Sequence, residues 1–482
     1  MNNLSNLKPE KVFEFFSQIA EIPHGSGNTE QIAQFCLDFA KERNLKAVKD
    51  KGGNVIIYAD GTDGYENSEP VIIQGHLDMV CEKTADCTKD MEKEAITLCT
   101  DGEYVWADRT TLGGDDGIAM AYIFALLDSD DIPHPPIEAV ITRDEETGMF
   151  GAIDFEPHLV KGRKMLNIDS EDEGILTVSC AGGISAYCEI PYNTTNEKSA
   201  YSYEISVSGL TGGHSGADIH LGRQNAIKVL GKLLGKISET SDFRISTING
   251  GGKANVIPQN ASAIIGTESN CGEKISKVVS EFEKDFLEKY SEKDPSARFS
   301  VNQSDSYDNF ADCKGTDKII RFLNGAPNGI QCMSKSMADM VQTSLNFGIL
   351  SVNEGKICAD FLIRSSVTDE KHSTAKAVSD FAAEFDGKTQ LSGDYPGWEY
   401  REKSPLREIM CTAFEDMYGK SPKVSAIHAG LECGIFSEKI PDADIVSFGP
   451  NLENIHTPKE RMNVASVDRT WEYIKEILKR CK

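Results

Sequence analysis

Two polar side chains end an apolar stretch early in the chain. In VIIQGHLDMV, which runs from Val71 to Val80, His76 and Asp78 are separated by a single residue. Alternate side chains of a strand face the same side, so both could point into one site. On its own, the pair is equally compatible with a functional site and with an exposed turn.

Further candidate ligands follow other apolar stretches. DRTTLGGDDG precedes an apolar helix, ITRDEETG and LNIDSED end predicted strands, and FGPNLENIHTP lies near the C-terminus. These segments supply Asp115, Asp116, Glu145, Glu146, Asp169 and His456. Histidine nitrogens and carboxylate oxygens form a donor set that suits zinc or a similar divalent ion. More than four candidate ligands would exceed one tetrahedral site. They indicate two ions, which hydrolases hold about 3.5–4 Å apart with a shared carboxylate and water.

Two adjacent glutamates, Glu145 and Glu146, could take different roles at such a site. One carboxylate can bind metal while its neighbour takes the proton from a metal-activated water. A charged strand end is the alternative explanation of this pair. The glutamates are therefore interpreted together with the other candidate ligands.

The predicted elements place these residues at strand ends. Strands and helices alternate in the first part of the chain and again near its end, which predicts an α/β sheet flanked by helices. Open sheets of this kind have their sites at the carboxyl ends of strands. Between these parts, β-rich segments such as FRISTING and helices such as RQNAIKVLGKLLGKI predict an inserted α+β domain. We therefore predict a discontinuous first domain, residues 1–183 and 398–482, around a second domain, residues 184–397.

Composition limits the partners and the location of the protein. The 76 acidic and 50 basic residues give a net charge of −26, which argues against nucleic acid as a partner. The 13 cysteines include no CxxC pair, a pattern typical of reduced thiols in a cytoplasm. No segment has the apolar length of a membrane span, and the N-terminal residues predict a helix rather than a signal peptide. We expect a soluble cytoplasmic protein with no membrane partner.

Seven motifs together resemble one family of enzymes. They are GHLDMV, TTLGGDDG, TRDEETG, NIDSED, SGLTGGHSG, HAGLECG and a late histidine, in that order. The set resembles the aminoacyl-histidine dipeptidases, also called Xaa-His dipeptidases or peptidase D, within the di-zinc aminopeptidase and carboxypeptidase superfamily. The resemblance runs from about His24 to the C-terminal helix. It implies a di-zinc exopeptidase catalytic domain with an inserted lid and dimerisation domain, and hence a homodimer through the lid.

The resemblance also implies roles for the candidate ligands. His76 and Asp169 would bind one zinc, Glu146 and His456 would bind the other, and Asp115 would bridge both. Cobalt or manganese are alternative ions. Asp78 would orient His76, as the partners of metal-bound histidines usually do. Glu145 would be the general base. Many family members have Asn where this chain has Asp116, and the consequence of that difference stays open.

Four further residues match substrate-binding positions of the family. His214 in GGHSG resembles the histidine that polarises the scissile carbonyl, and Arg364 in FLIRSS resembles the residue that binds the substrate carboxylate. Asn255 in GKANVIP and Gly430 in HAGLECG match positions that line the substrate site. An exposed turn histidine and a surface cation are the alternatives for His214 and Arg364. His24, His134 and His372 are interpreted as structural or exposed.

Three functions are to be compared with these sequence features. The first is a metal-dependent dipeptidase that hydrolyses Xaa-His, carnosine-like and related dipeptides through attack by a di-metal-bound hydroxide. The second is a broad-specificity dipeptidase, tripeptidase or aminoacylase of the same superfamily, which would differ only in its pocket. The third, a metal-binding relic without activity, should have lost the base or a ligand. Glu145 and all five ligand candidates are present, which argues against the third function. The resemblance favours the first function over the second.

Overall fold

The chain folds into two compact units. A computed structural model describes residues 4–305 and 309–482. The first unit ends at Ser179 and resumes at Tyr400–Ala426 and Leu431–Lys482, while the second comprises Cys180–Glu399 and Ile427–Gly430. The sequence predicts domain boundaries at 183/184 and 397/398, which would place residues 427–430 in the first domain. Residues 427–430 join the second unit because the amide of Ala181 donates to the carbonyls of Ile427 and Ala429.

The first unit is built on an eight-stranded sheet and a four-stranded sheet. Its helices are α1 (Glu10–Ala20), α2 (Glu30–Glu42), α3 (Gly114–Leu127), α4 (Phe150–Asp154), α9 (Pro405–Tyr418), α10 (Glu432–Lys439) and α11 (Val464–Arg480). Its strands are β1 (Lys46–Lys49), β2 (Val55–Ala59), β3 (Val71–His76), β4 (Leu98–Thr100), β5 (Tyr104–Ala107), β6 (Ile137–Thr142), β7 (Lys164–Asn167), β8 (Ile175–Cys180), β22 (Lys423–Ile427), β23 (Asp444–Ser447), β24 (Leu452–Glu453) and β25 (Arg461–Asn463). The larger sheet has the order β1-β2-β6-β3-β7-β23-β8-β22, and the smaller one β24-β25-β5-β4.

Strand β3 lies at the centre of the larger sheet and pairs in parallel with β6 and β7. Every residue of β3 and of β6 is buried, as expected for parallel strands with both faces covered. Helix α3 is apolar all round and is buried from Gly114 to Leu126. The predicted mixed α/β sheet flanked by helices is confirmed, and α3 is its buried central helix.

The second unit contains a nine-stranded sheet and four α-helices among the described residues. The helices are α5 (Ala226–Ser238), α6 (Gly272–Tyr290), α7 (Cys313–Gly325) and α8 (Thr368–Ala383). The strands are β9 (Gly182–Pro191), β10 (Thr194–Thr195), β11 (Tyr201–Ser208), β12 (Gly213–His214), β13 (Arg244–Gly250), β14 (Val256–Ile257), β15 (Ala261–Thr267), β16 (Arg298–Ser304), β17 (Phe310–Ala311), β18 (Gly329–Met333), β19 (Val341–Asn353), β20 (Lys356–Ser365) and β21 (Lys388–Tyr395). The sheet order is β16-β11-β15-β13-β19-β20-β9-β21, with β18 paired to β19.

One long strand of the second unit, β19, did not emerge from the sequence. It contains the buried polar residues Ser344 and Asn346, which interrupt its apolar pattern. Both have partners inside the unit, since Nδ2 of Asn346 donates to the carbonyls of Ala254 and Val256 and Ser344 pairs with His428. Among residues 4–305 and 309–482, no helix combines the length and apolar character that a membrane crossing requires.

The close packing of β3 against α3 can be tested at Gly75. A Cβ atom at Gly75 would lie 2.6 Å from both Ala119 Cβ and Asp116 Oδ2. We expect Gly75→Ala to lower the free energy of unfolding by about 1–3 kcal/mol, because the overpacked strand and helix must separate. Thermal unfolding followed by circular dichroism measures this change.

The matched control for that change is Gly235→Ala on α5. A Cβ atom there would meet only Asn324 Nδ2, at 3.5 Å, and alanine favours a helix over glycine by about 0.5–1 kcal/mol. This variant should melt at or above the wild-type temperature. A Gly75→Ala protein as stable as the wild type would contradict the packing argument.

Candidate metal centre and substrate-binding residues

The sheet of the first unit gathers the candidate ligands at one edge. His76 is the last residue of β3, Asp169 follows the end of β7, and Glu145 and Glu146 follow the end of β6. Since β6, β3 and β7 are adjacent and parallel, their carboxyl ends meet at this edge. His456 comes from the loop between β24 and β25 of the same unit.

Asp115 lies between the two histidines and directs one oxygen to each. Its Oδ1 is 3.1 Å from Nε2 of His76, and its Oδ2 is 3.2 Å from Nε2 of His456. On one side, Nε2 of His76 is also 3.8 Å from Oδ1 of Asp169. On the other side, Nε2 of His456 is 3.0 Å from Oε1 of Glu146. The ligand atoms therefore form two sets that share the Asp115 carboxylate.

These distances fit metal coordination. Two ligands about 2.0–2.1 Å from a tetrahedral zinc lie about 3.3 Å from each other. The His76, Asp169 and Asp116 atoms converge within 4.8 Å of one another, as do those of His76, Asp115 and Glu146. Oε1 of Glu146 is buried and accepts no hydrogen bond, although the His456 nitrogen is close. A shared cation would satisfy both atoms, so the residues present fit a divalent metal.

The charges of the cluster also fit a cation. Burial raises the pKa of Asp169 well above its usual range. Hydrogen bonds with Asp115 and Glu146 raise the pKa of His456 to about 10. Burial, together with the nearby Glu432 and Glu146 carboxylates, raises the pKa of Glu145 to about 8. The raised pKa values of Asp169 and Glu145 show that these carboxyl groups ionise readily only with added positive charge, which divalent ions would supply.

Asp78 holds two segments of the site together. His76 Nδ1 lies 2.9 Å from the Asp78 carbonyl oxygen and 3.6 Å from its Oδ1. The Asp78 carboxylate accepts hydrogen bonds from the amides of Glu145 at 2.9 Å and Glu146 at 3.3 Å. Burial opposes its ionisation, but the nearby His76 ring and hydrogen bonds from Ser26 and the Glu145 amide lower its pKa below the usual value. Asp78 therefore fixes the imidazole of His76 and the loop that carries both glutamates.

Asp116 faces the main chain of β3. Its Oδ2 accepts a hydrogen bond of 3.1 Å from the amide of His76. It is buried, and burial raises its pKa well above the usual value. The amide oxygen of an Asn at this position could accept the same bond, so this contact does not distinguish Asp from Asn.

Three supporting residues of the site were missed by sequence reasoning. The hydroxyl of Ser26 donates to Oδ2 of Asp78 at 2.7 Å. Glu460 accepts hydrogen bonds from the amides of Leu112, Gly113 and Gly114 at the start of α3 and so fixes the turn that presents Asp115. Burial raises the pKa of Glu460 to about 7. The glycines around Ser26 were a signal for a tight loop, whereas nothing local marks Glu460.

The third missed residue, Glu432, lies beneath the ligands. Its Oε2 accepts hydrogen bonds of 2.6 Å from Gln74 Nε2 on β3 and 2.6 Å from Thr142 Oγ1 on β6. Gln74 Oε1 in turn accepts one of 2.5 Å from Asn167 on β7. This buried hydrogen-bond network joins β3, β6 and β7 close to the carboxyl ends where the candidate ligands lie. Glu432 is part of HAGLECG, but only Gly430 of that motif had been given a role.

A cavity of about 690 Å³ opens beside Glu146 within the first unit. Its walls include Ser26, Met79, Cys81 and Met91. Of the proposed ligands, only Glu146 lines this cavity.

The second unit contains all four predicted substrate-binding residues. His214 ends β12, which pairs with β14, and the exposed Asn255 precedes β14. Nδ1 of His214 accepts hydrogen bonds from the amides of Gly216 at 3.3 Å and Ala217 at 3.0 Å. Burial and then the charge of Arg364 lower the pKa of His214. Because Nδ1 accepts these two bonds, the ring hydrogen lies on Nε2, where it can be donated.

Arg364 and Gly430 lie near His214 inside the same unit. A Cβ atom at Gly216 would lie 3.1 Å from Cε1 of His214 and 3.2 Å from Nε of Arg364, so the two side chains flank this glycine. Arg364 is only 6% exposed, so it is not the surface cation that was the alternative interpretation. Its Nη1 donates to the hydroxyl of Tyr395, whose ring also contacts Gly430. Of the other histidines, His24 and His134 are buried, and His372 pairs with Asp394 at the surface.

Comparison with known proteins identifies the family. The model of peptidase family M20/M25/M40 matches residues 72–480. The chain belongs to this peptidase family. It is therefore a hydrolase, as the sequence analysis predicted, and the ligand-bearing strands and loops all lie within the matched region.

Two relatives of this M20 peptidase match it over its whole length. The cytosol non-specific dipeptidase of Escherichia coli is 34% identical over 480 residues, which is 99% of each protein. The crystal structure of aminoacylhistidine dipeptidase from Vibrio alginolyticus is also 34% identical, with a TM-score of 0.94 over 99% of this chain and 98% of that one. The predicted resemblance to aminoacyl-histidine dipeptidases is confirmed.

A more distant structure shares the fold alone. A tripeptidase from Staphylococcus aureus superposes with a TM-score of 0.56 at 16% identity, over 98% of this chain and 99% of that one. The fold is thus shared by a protein with little sequence in common.

The shared position of Asp115 gives a prediction about metal content. We expect Asp115→Asn to weaken metal binding more than a hundredfold, because losing a ligand should exceed the roughly 10–100-fold effect of losing a ligand's partner. Asn keeps the size of the side chain but removes the charge that faces both histidines. Metal per subunit, measured by mass spectrometry after dialysis against a weak chelator, should fall for both ions.

The control for that variant is Asp108→Asn in the same loop. The Asp108 side chain is 48% exposed and pairs only with Arg109 among the described ion pairs, so metal content should be unchanged. An Asp115→Asn protein that keeps two tightly bound ions would contradict the bridging role.

Proposed function

We propose that this M20 peptidase is a metal-dependent dipeptidase that hydrolyses Xaa-His and related dipeptides. The observation that carries the proposal is the Asp115 carboxylate, whose two oxygens face the two histidines of the candidate centre. That arrangement supports a pair of ions rather than one. The full-length similarity to two proteins named as dipeptidases supports the substrate class.

The proposed ligand sets follow the distances within the first unit. His76 and Asp169 would hold one ion, Glu146 and His456 the other, and Asp115 both. Zinc suits these nitrogen and oxygen donors, and cobalt or manganese could replace it. Such ions lower the pKa of water and polarise the carbonyl of the peptide bond. Asp78 keeps His76 oriented and also holds the loop with Glu145 through main-chain hydrogen bonds.

Glu145 would move the proton during hydrolysis. Its backbone amide is fixed by Asp78, and its neighbour Glu146 is directed towards His456, which leaves the Glu145 carboxylate available. It would accept a proton from the attacking water and deliver it to the nitrogen of the leaving amino acid. Its burial favours the protonated form that the second step needs.

Residues of the second unit would bind the ends of the substrate. The Nε2 hydrogen of His214 suits donation to a carbonyl oxygen, and the buried guanidinium of Arg364 suits a carboxylate. Asn255 and Gly430 would line the same substrate site. We further propose that this unit is the lid and dimerisation domain of a homodimer. The protein would act in the cytoplasm, where its cysteines would stay reduced; no disulfide joins them within the described chain.

The role of Glu145 can be tested by one substitution. Glu145→Gln should keep both metal ions but lower kcat about 10²–10⁴-fold, because the amide cannot accept the proton. Steady-state hydrolysis of Ala-His and metal analysis of the same sample measure the two effects. Glu103→Gln, at an exposed site on the same unit, is the control and should retain full activity. Unchanged turnover in Glu145→Gln would show that another residue is the base.

The substrate class needs a separate test. A broad-specificity dipeptidase is the second candidate, since the Escherichia coli relative carries the name non-specific dipeptidase. We expect the purified, metal-loaded protein to hydrolyse Ala-His and β-Ala-His with higher kcat/KM than Ala-Gly, tripeptides or N-acetyl amino acids. Equal rates on Ala-His and Ala-Gly would favour the broad enzyme. A clear preference for N-acetyl amino acids would contradict the dipeptidase assignment and favour an aminoacylase.

A further inference from the structure

Tyr395 occupies a slot that two glycines leave open in the second unit. It is the last residue of β21, and Gly183 on β9 lies opposite it in the sheet. A Cβ atom at Gly183 would lie 2.6 Å from the Tyr395 hydroxyl, and one at Gly430 would lie 3.0 Å from its ring. A side chain at Gly183 would displace the tyrosine ring. A side chain at Gly430 would crowd the ring less severely.

The hydroxyl of Tyr395 contacts the proposed carboxylate-binding residue. Nη1 of Arg364 donates to it at 3.1 Å. Arg364 is only 6% exposed, and its Nε is buried without a hydrogen-bond partner. Among the described residues, Arg364 forms no ion pair with a carboxylate. A buried guanidinium that lacks an anion inside the protein is stabilised by binding one from outside.

A buried lysine fixes the main chain of Tyr395. Lys371 on α8 has a side chain that is 1% exposed, and its Nζ donates to the Tyr395 carbonyl oxygen at 2.5 Å. The same Nζ pairs with Asp394 at 2.5 Å. The end of β21 is thereby held on one side by Lys371, while the tyrosine ring is confined on the other by the two glycines. The hydroxyl consequently has a defined position from which to hold Arg364.

We propose that Tyr395 is a positioning residue that directs the Arg364 guanidinium towards the carboxylate of the substrate. Its hydroxyl occupies Nη1 and so leaves Nε and the other terminal nitrogen for the ligand. Gly430 takes part by leaving room for the tyrosine ring. The inference rests on the proposed role of Arg364 in carboxylate binding and names the residue that gives this site its selectivity.

The test compares two ligands that differ only at the carboxylate. Binding of L-histidine and of L-histidinamide to the metal-loaded protein is measured by isothermal titration calorimetry. Wild-type protein should bind L-histidine at least about tenfold more tightly than the amide. Tyr395→Phe keeps the ring between the glycines but removes the hydroxyl, and the preference should fall about tenfold, as for one hydrogen bond to a charged group. In hydrolysis, KM for Ala-His should rise by a similar factor while kcat changes little.

The control is a second tyrosine of the same sheet that does not contact Arg364. Tyr187 lies on the same sheet and is 41% exposed. The Tyr187→Phe variant should therefore keep the wild-type preference for L-histidine. If Tyr395→Phe keeps that preference, or weakens both ligands equally, or lowers kcat alone, the positioning role is overturned. Absence of any wild-type preference for L-histidine overturns it as well. Failure of the proposed dipeptidase function would be distinct, because the wild type would then bind with this preference and hydrolyse no dipeptide.

Discussion

The candidate centre depends on the Asp115 carboxylate lying between two histidines. Its oxygens are 3.1 Å and 3.2 Å from nitrogens of His76 and His456, which are far apart in the sequence. This geometry draws Glu146 and Asp169 into the same small volume, where their charges repel one another. Like charges are buried together only with compensation, and divalent cations would supply it here. Metal binding and the fold that gathers these ligands would then depend on one another.

The surrounding structure resists this repulsion by fixing each ligand separately. Asp78 accepts hydrogen bonds from the loop that carries the two glutamates, and Ser26 in turn donates to Asp78. Glu460 binds the amides at the start of α3. Glu432 joins β3 to β6 just before they end. Ligands held in this way lose little further freedom when an ion binds, so the site is organised in advance.

Much of this could be predicted because the decisive patterns are local. The apolar stretch before His76 and the apolar helix after Asp115 identify their elements, and carboxyl ends of parallel strands meet at one edge. The supporting contacts are long-range instead. Glu460 is 346 residues from Gly114, and no nearby pattern marks it. Strand β19 was missed because the hydrogen-bond partners of its buried polar residues are far away in the sequence. The role of Tyr395 can be inferred only once Gly183 and Gly430 lie beside its ring.

Anomalous diffraction at the zinc edge, on crystals of the zinc-loaded protein, tests the central claim most directly. The account predicts two peaks in each subunit, about 3.5–4 Å apart, with Asp115 contacting both. One peak should lie next to His76 and Asp169, and the other next to Glu146 and His456. A single peak at full zinc loading, or two peaks of which only one contacts Asp115, would contradict the account.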